Sequence, residues 1–373
     1  MEYSMSIPEE ILFDIFSWLP VKSLMRFRCI SQYFNSLVCE PYFVDIHQCH
    51  SRIRTKLLVR QWDLVGKRNF YYTIEQNASH RRVHIEDYFD GLTNVIDLKG
   101  YFVECVNGLF CFWSCISQVV VICNPSTRQV RFLPCIKHEY DGLGHGQFLF
   151  GYEPKDEVYK VVFVKRDEHD ISAARCWIFS LGIDESWKEI DRAPCCFYYG
   201  QECVCIKGVI YVSSGNSQEQ NIIAFDLKGE SFRIIALWKD ALPYYFNLIE
   251  MEGKLGIVEN NTMINGETIN LWMLGNIGWE RHVIIGFPME GCPIVHCLSQ
   301  TYGGKINIIF IAKVNQSCDD TLSYLLCCYD FSRKSWTRRE IINGGWIQHI
   351  YRWVETLFPL KHICIDADST SRV

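Results

Sequence analysis

The feature that most constrains the fold of this chain is a turn that recurs five times. In each copy an apolar strand ends in a turn, and six positions later an apolar or aromatic residue restarts a strand beside charged residues. The turn positions are 45 to 57 residues apart and lie at Asn124, Leu181, Asp226, Met273 and Asp330. A propeller blade has roughly 40–50 residues. The spacing therefore favours a propeller, whose radial repetition leaves only short, protected sheet edges.

The segments around these turns are typical of strands. From about residue 55 onward, short β-branched and aromatic runs alternate with turn signals, and aromatic residues reach 14% of the chain. Such runs occur at 56–62, 70–74, 119–123, 159–164, 176–180, 209–213, 221–225 and 305–312. Strands near 56–74 and a tail near 351–359 could add blades or close the ring. The number of blades stays open, and a β-sandwich with long loops fits the same runs.

Glycines mark several of the expected blades. Gly108, Gly208, Gly253 and Gly304 each stand just before an apolar run. Because glycine tolerates a positive φ angle, we expect each to form a tight turn ahead of the first strand of a blade.

The first forty residues have a different, helical period. Ser6 followed by Glu9 is a capping-box signature, and Pro8 falls in the first turn, where its missing N–H costs little. Pro20 is expected to end this helix. One apolar stripe runs along it at helical spacing, formed by Ile11, Leu12, Ile15, Phe16 and Leu19.

Two further short helices are predicted before residue 42. The second carries Leu24, Phe27 and Ile30 on one side. The third begins after Ser31, carries Phe34, Leu37 and Val38, and is expected to close at Glu40-Pro41. Fewer than 40 residues cannot bury this much apolar surface alone. From the residues themselves, the helices either pack on the rest of the chain or bind another protein.

Composition excludes several classes of function. The chain has 373 residues, and its 49% hydrophobic content argues against disorder. A net charge of −6 is opposite to the basic surplus of most nucleic-acid-binding proteins. Acidic residues interrupt the first apolar residues, which argues against a signal peptide, and no apolar run is long enough to cross a membrane. We therefore expect neither a nucleic acid nor a membrane as partner, and a location in the cytoplasm, the nucleus or both.

The 19 cysteines do not form a recognisable framework. Their number is odd, no Cys-x-x-Cys occurs, and the nearest metal-like group lacks a second half at zinc-finger spacing. That group consists of Cys39, His47, Cys49 and His50. We predict reduced thiols, no metal and no cofactor.

No pattern of catalytic residues is present in the sequence. The histidines are scattered, and none pairs with Ser or Cys in a nucleophile motif. The glycine-rich stretch at 142–146 lacks the lysine and hydroxyl residue of a phosphate-binding loop. We predict that the chain is not an enzyme. The fold class expected is an α+β multidomain chain, with a small three-helix unit at 1–48 and an all-β propeller-like domain at 49–373.

The helical segment resembles an F-box. The matching elements are an Ile-Pro-Glu-Glu start at 7–10, Leu-Pro-Val-Lys-Ser-Leu at 19–24 and Arg-Phe-Arg-Cys-Ile at 26–30. The last element departs from the pattern, since Ser-Gln-Tyr-Phe at 31–34 stands where Ser-Lys-x-Trp is usual. The remainder is similar to the plant F-box-associated domain, which is kelch-like or propeller-like. Its matching segments lie at 123–128, 150–152, 159–162, 186–188, 225–226 and 354–357.

The resemblance implies a role in a ubiquitin ligase. F-box proteins bind a Skp-type adaptor, which tethers them to a cullin, and the second domain binds a target protein for ubiquitination. The residues implied to face the adaptor or to form the small F-box core are Pro8, Ile11, Ile15, Leu19, Pro20, Leu24, Phe27, Cys29, Ile30 and Phe34.

Propeller-like folds bind through loops at one end of the ring. The loop residues that we predict to contact the target are Tyr140, His145, His169, Tyr198 and Tyr199. The alternative to a ligase subunit is a non-degradative binding module, a scaffold or a lectin-like reader of sugars.

Overall fold

The structure is a computed structural model of the chain. It describes residues 7–63, 68–74, 83–84, 102–113, 119–136, 146–166, 173–194, 203–215, 220–238, 241, 246–259, 268–288, 292, 294–302, 305–314, 323–342 and 345–360. The described residues form four helices at the start of the chain and six four-stranded antiparallel sheets after them. The predicted fold class, a small helical unit followed by a β-propeller, is confirmed, and a β-sandwich is excluded.

The helical unit contains four helices rather than the three predicted. They are α1 (Glu9–Ser17), α2 (Val21–Arg28), α3 (Gln32–Leu37) and α4 (Pro41–Ile53). Pro41, expected only to close α3, is the first residue of α4, a position that suits proline because its N–H would be unsatisfied there anyway. Ser6, the predicted cap of α1, lies outside the described residues, and Pro8 is at the N-cap position. The boundary placed at residue 48 stays a prediction, since α4 runs past it and β1 begins at Lys56.

Each of the six sheets is one blade. Five follow in chain order: β4 (Phe102–Val106), β5 (Leu109–Trp113), β6 (Val120–Asn124) and β7 (Gln129–Phe132); β8 (Gly146–Glu153), β9 (Val158–Arg166), β10 (Ala173–Ser180) and β11 (Lys188–Pro194); β12 (Cys203–Ile206), β13 (Val209–Gly215), β14 (Gln220–Asp226) and β15 (Ser231–Ala236); β16 (Phe246–Met251), β17 (Lys254–Glu259), β18 (Thr268–Leu274) and β19 (Trp279–Ile285); and β20 (Ile294–Tyr302), β21 (Lys305–Val314), β22 (Ser323–Asp330) and β23 (Ser335–Ile342).

The remaining blade joins the two ends of the propeller. It consists of β24 (Trp346–Trp353), β1 (Lys56–Asp63), β2 (Arg68–Ile74) and β3 (Val83–His84), in that order. β24 pairs antiparallel with β1, so the predicted contribution of both chain regions to ring closure is confirmed. The first strands of the blades contact one another around the ring in the order β4, β8, β12, β16, β20, β24 and back to β4. We call the β24–β1–β2–β3 sheet the closing blade.

The recurring turn of the sequence joins the third and fourth strands of a blade. Its five copies lead from β6 to β7, β10 to β11, β14 to β15, β18 to β19 and β22 to β23. The core lies between neighbouring blades, where many residues of the second and third strands are buried. Leu109, Trp113 and Ile122 of one blade, for example, share a cluster with Phe148 and Phe163 of the next.

The glycines lie one strand later than predicted. Gly108, Gly208 and Gly253 stand between the first and second strands of their blades, where each follows a non-glycine residue that also has a positive φ. Two successive positive φ angles in a two-residue loop make a type I′ hairpin turn. Gly304 lies outside the described residues. The prediction failed because the short first strands, such as β4, were not recognised.

The helical unit contacts the propeller at the end that carries these hairpin turns. Residues 354–360, the terminal segment, leave β24 and run along blade β4–β7. Asn124 donates from Nδ2 to the carbonyl oxygens of Thr356 (3.1 Å) and Phe358 (2.9 Å), and Ser126 Oγ accepts from the Thr356 N–H (3.1 Å). Leu357 packs into the apolar core of the helices. The terminal segment is therefore bound on one side by the propeller and on the other by the helical unit.

Candidate functional site

The exposed face of α1 is apolar. Ile11 and Ile15 stand four positions apart, and their side chains are 51% and 47% exposed. Ile7, which precedes the helix, is also exposed. An apolar stripe that the rest of the chain leaves uncovered is typical of a protein–protein contact.

A second exposed apolar position lies between α2 and α3. Ile30 is 73% exposed there, and Cys29 and Tyr33 beside it are exposed as well. The two helix-starting prolines, Pro8 and Pro20, are also exposed. Six of the ten residues predicted to contact an adaptor are thus open to solvent, namely Pro8, Ile11, Ile15, Pro20, Cys29 and Ile30.

The other four predicted residues form the core of the helical unit. Leu24 is fully buried, and Leu19, Phe27 and Phe34 are partly buried around it. Phe16, which the prediction did not include, is at the centre, with its ring stacked on Phe34 at 4.4 Å and edge-on to Phe27 at 4.9 Å between centroids. The structure therefore separates the predicted set into a solvent-facing group and a supporting core.

Sequence reasoning missed one exposed aromatic residue at the end of α1. Trp18 is 43% exposed, and its other face stacks on the His50 ring at 3.7 Å. Trp18 follows Ile15 by three positions and Ile11 by seven, so the helical spacing that predicted the two isoleucines also indicates Trp18.

The C-terminus of α1 is held by side chains of α4. His47 Nε2 lies 2.9 Å from the Leu19 carbonyl oxygen, and Arg54 Nη1 donates to the Trp18 carbonyl oxygen. Burial lowers the pKa of His47 below its usual value, so the neutral ring is favoured. Of the residues considered for a metal, Cys39 and Cys49 are exposed. Within the described ranges, no group of three or more His, Cys, Asp or Glu is arranged to hold a metal ion.

The N-terminus of α2 is capped by a residue of the terminal segment. Its N-cap residue is Pro20, which has no side-chain acceptor. Glu355 Oε2 instead accepts from the Val21 N–H at 2.8 Å, and Glu355 Oε1 lies 3.3 Å from Lys56 Nζ. A carboxylate at this position also interacts favourably with the helix dipole. Glu355 is 334 residues from Val21 in the chain.

The residues predicted to contact a target lie outside the described part of the structure. These are Tyr140, His145, His169, Tyr198 and Tyr199. The strands that flank them are described, and the flanking strand ends at 146, 166, 173, 194 and 203 lie at the end of the propeller opposite the helical unit. The prediction for these five residues stays a prediction.

The described cysteines are free thiols, and several of them are buried. Burial raises the pKa of the Cys205 and Cys327 thiols to about 11 and that of Cys123 to about 12. Such thiols stay protonated at neutral pH and are poor nucleophiles. No helix among the described residues has the length and apolar content needed to cross a membrane.

Comparison with known proteins gives two family matches that together span most of the chain. Residues 5–45 match the F-box domain, and residues 63–359 match the F-box associated beta propeller domain. An Arabidopsis thaliana F-box protein is 29% identical over 307 residues, which cover 76% of this chain and 72% of the relative. Another is 26% identical over 386 residues, covering 95% and 91%. A third relative from the same plant is 28% identical over 267 residues, and this match covers 65% of the relative's length.

Among solved structures, a chain of a nidogen/laminin complex is 11% identical to this one. The match has a TM-score of 0.45 and covers 81% of this chain and 99% of that chain.

Proposed function

The chain belongs to the F-box proteins that carry an F-box associated beta propeller domain, and we propose from this premise that it is the substrate-recognition subunit of a cullin–RING ubiquitin ligase. In this role its F-box binds a Skp-type adaptor, the adaptor binds a cullin, and the propeller binds a target protein. The observation that carries the proposal is the uncovered apolar face of the F-box at Ile11, Ile15 and Ile30.

Adaptor binding has a clear driving force on this face. Fully burying an exposed isoleucine contributes about 1.5–3 kcal/mol, and an isoleucine that is half exposed gains roughly half of this; the costs of association are then subtracted. Three isoleucines with about half or more of their side chains exposed therefore supply much of what an interface needs from its anchors. Leu24 and Phe16 beneath them support the surface without contacting the adaptor, since both are buried.

The propeller contributes recognition rather than chemistry. Burial keeps several of its thiols protonated, such as those of Cys123, Cys205 and Cys327, and ubiquitin transfer takes place on other subunits of the ligase. The subunit acts by holding the target close to the transfer machinery, which turns an encounter between two molecules into a reaction within one complex. This role is compatible with the cytoplasm, the nucleus or both.

The target is proposed to bind the end of the propeller that faces away from the F-box. The strand ends flanking the five predicted target-contacting residues lie at that end. A target held there does not compete with the adaptor for space.

The test of adaptor binding is co-purification of the full-length protein with a plant Skp-type adaptor. Ile15→Asp puts a carboxylate in the proposed interface, and burying it without a partner weakens binding by roughly a hundredfold or more. Because Ile15 is already exposed, this variant retains its fold. Ile277→Asp is the matched control, since Ile277 is fully exposed on the β18–β19 turn of the propeller. Equal recovery of adaptor with both variants contradicts the proposal.

A second measurement separates a ligase subunit from a non-degradative binding module. Proteins that co-purify with the propeller are compared before and after the proteasome is blocked. A ligase target accumulates when the proteasome is blocked, and this accumulation is lost in Ile15→Asp. A partner whose abundance changes in neither case indicates a scaffold.

A further inference from the structure

The terminal segment, residues 354–360, contacts both domains with different side chains. Asn124 and Ser126 of the propeller bind the backbone of Thr356. Glu355 caps α2 of the F-box, and Leu357 is buried in the F-box core together with Val21, Leu24 and Phe43. Each domain would lack part of its packing if this segment moved away.

The connection on the other side of the F-box is also short. α4 ends at Ile53, and β1 begins three residues later at Lys56, whose ammonium group lies 3.3 Å from Glu355 Oε1. β24, which ends two residues before Glu355, and β1, which begins at Lys56, are paired in the closing blade. The F-box is therefore attached to the propeller at two points, the connection from α4 to β1 and the terminal segment. The ion pair between Lys56 and Glu355 joins these two points.

We propose that Glu355 and Leu357 fix the orientation of the F-box on the propeller, so that the adaptor-binding face and the far end of the propeller are held in one defined geometry. The Glu355 carboxylate supplies the cap that Pro20 cannot give to α2, and α2 carries Leu24 and Phe27 of the F-box core. Leu357 completes that core from the propeller side. Displacing the terminal segment removes the Glu355 cap and the Leu357 packing together. Because this segment directly follows β24 of the closing blade, closure of the propeller is coupled to the position of the F-box.

The proposal is tested by pulsed electron paramagnetic resonance on the full-length protein. Nitroxide labels are attached through noncanonical residues at Arg26 and Ile277, because the 19 cysteines prevent selective thiol labelling. Both positions are exposed, one on α2 and the other on a blade far along the chain. We expect one narrow distance distribution in the unaltered protein and a distribution at least twice as wide in the double variant Glu355→Ala, Leu357→Ala. An unchanged width in the double variant overturns the proposal.

The control is Glu189→Ala, which removes an exposed carboxylate paired with Arg175 inside one blade. It is expected to leave the distribution unchanged, and broadening as large as that of the double variant contradicts a specific role for Glu355 and Leu357.

If the double variant does not fold, amide hydrogen exchange in Glu355→Ala decides the question. We expect about tenfold faster exchange at the Val21 amide, which loses its acceptor, and no change at Val121 within a blade. Unchanged exchange at Val21 overturns the proposal. Neither measurement contains an adaptor, so the failure of adaptor binding and the failure of this inference are distinguishable.

Discussion

The indole Nε1 of Trp336 donates a 2.9 Å hydrogen bond to the carbonyl oxygen of Ile285, and this bond joins the outer strands of two neighbouring blades. The same bond recurs from Trp279 to Ala236 (2.9 Å) and from Trp187 to Pro134 (2.7 Å). All three tryptophans occupy the position six residues after the recurring turn. The sequence repeat therefore encodes the contact between blades as well as the blade length.

Removing the Trp336 donor should weaken the propeller without changing its shape. We expect replacement of Trp336 by 3-benzothienylalanine, an isostere without the N–H, to lower the free energy of unfolding by about 1 kcal/mol. Denaturant unfolding followed by far-UV circular dichroism measures the change. The same replacement at Trp346, which is exposed and starts a strand, is the control and should have a smaller effect. Equal losses at the two positions would show that the hydrogen bond contributes nothing measurable.

A second prediction concerns an ion pair across the ring. Arg352 Nη1 of β24 lies 2.8 Å from Glu250 Oε2 of β16, although β20 separates these first strands around the ring. Glu250 is held in place, since its Oε1 accepts from the Gly253 N–H. The pair therefore joins two blades that are not neighbours in the ring, at the end nearest the F-box.

We expect a double-mutant cycle with Arg352→Ala and Glu250→Ala to give a coupling energy of about 0.5–1 kcal/mol, because the Glu250 side chain is only 26% exposed and is held in place. The comparison pair is Arg175 with Glu189, which lies within one blade and whose carboxylate is 49% exposed, and it should couple less strongly. Unfolding free energies of the four variants of each cycle provide the measurement. A larger coupling for the exposed pair would contradict the argument from burial.

The fold could be predicted from sequence wherever the signal is local. Five of the six blades carry the turn between third and fourth strands, and these five were found from the spacing of positions such as Asn124 and Asp226. The closing blade could not be found in this way, since β24 and β1 are nearly three hundred residues apart and neither contains that turn. The sequence of a strand contains no periodic pattern that indicates which distant strand it pairs with.

In the candidate site, too, the features that depend on contacts between distant residues could not be predicted from the sequence. Helical spacing placed Ile11 and Ile15 on one apolar stripe, and the resemblance to an F-box put them in one set with Leu24. Neither could separate the two exposed isoleucines from Leu24, which is buried. Glu355 lies in the segment 354–357, which resembles the family pattern, but its role as the cap of α2 depends on a tertiary contact with Val21. A helix that begins with a proline at the N-cap position gives no local indication of where its acceptor comes from.

A pair of glycine substitutions tests the turn that supports the terminal segment. Gly108 has a φ of +89°, and a Cβ atom there would lie 2.2 Å from the Val354 carbonyl oxygen. Gly182 has a similar φ of +82°, but a Cβ atom there would meet nothing within 4 Å. Both substitutions by alanine incur the strain of a positive φ, about 1 kcal/mol, and only Gly108→Ala also displaces the backbone.

We expect Gly108→Ala to lower the melting temperature clearly more than Gly182→Ala, as measured by differential scanning fluorimetry. It should also speed hydrogen exchange at Val21, because Val354 precedes the residue that caps α2. If the two variants melt at the same temperature, the close approach between the hairpin turn and residue 354 does not contribute to stability.

The buried histidine of the F-box predicts a dependence of stability on pH. Burial lowers the pKa of His47 in the folded protein, whereas in the unfolded chain it has the ordinary value near 6.5. The unfolded state therefore binds more protons between these two values, and stability must fall as the pH drops below about 6.5. Above that pH the ring is neutral in both states, and the contribution of His47 to stability is constant.

We expect the wild type to lose stability between pH 7.5 and 5.5 more steeply than His47→Gln, whose amide nitrogen can still donate to the Leu19 carbonyl oxygen but does not titrate. Unfolding free energies of both proteins at the two pH values isolate this residue from the other ten histidines, which are common to both. Parallel losses in the two proteins would mean that His47 titrates alike in the folded and unfolded states, and that its contact with Leu19 does not depend on a neutral ring.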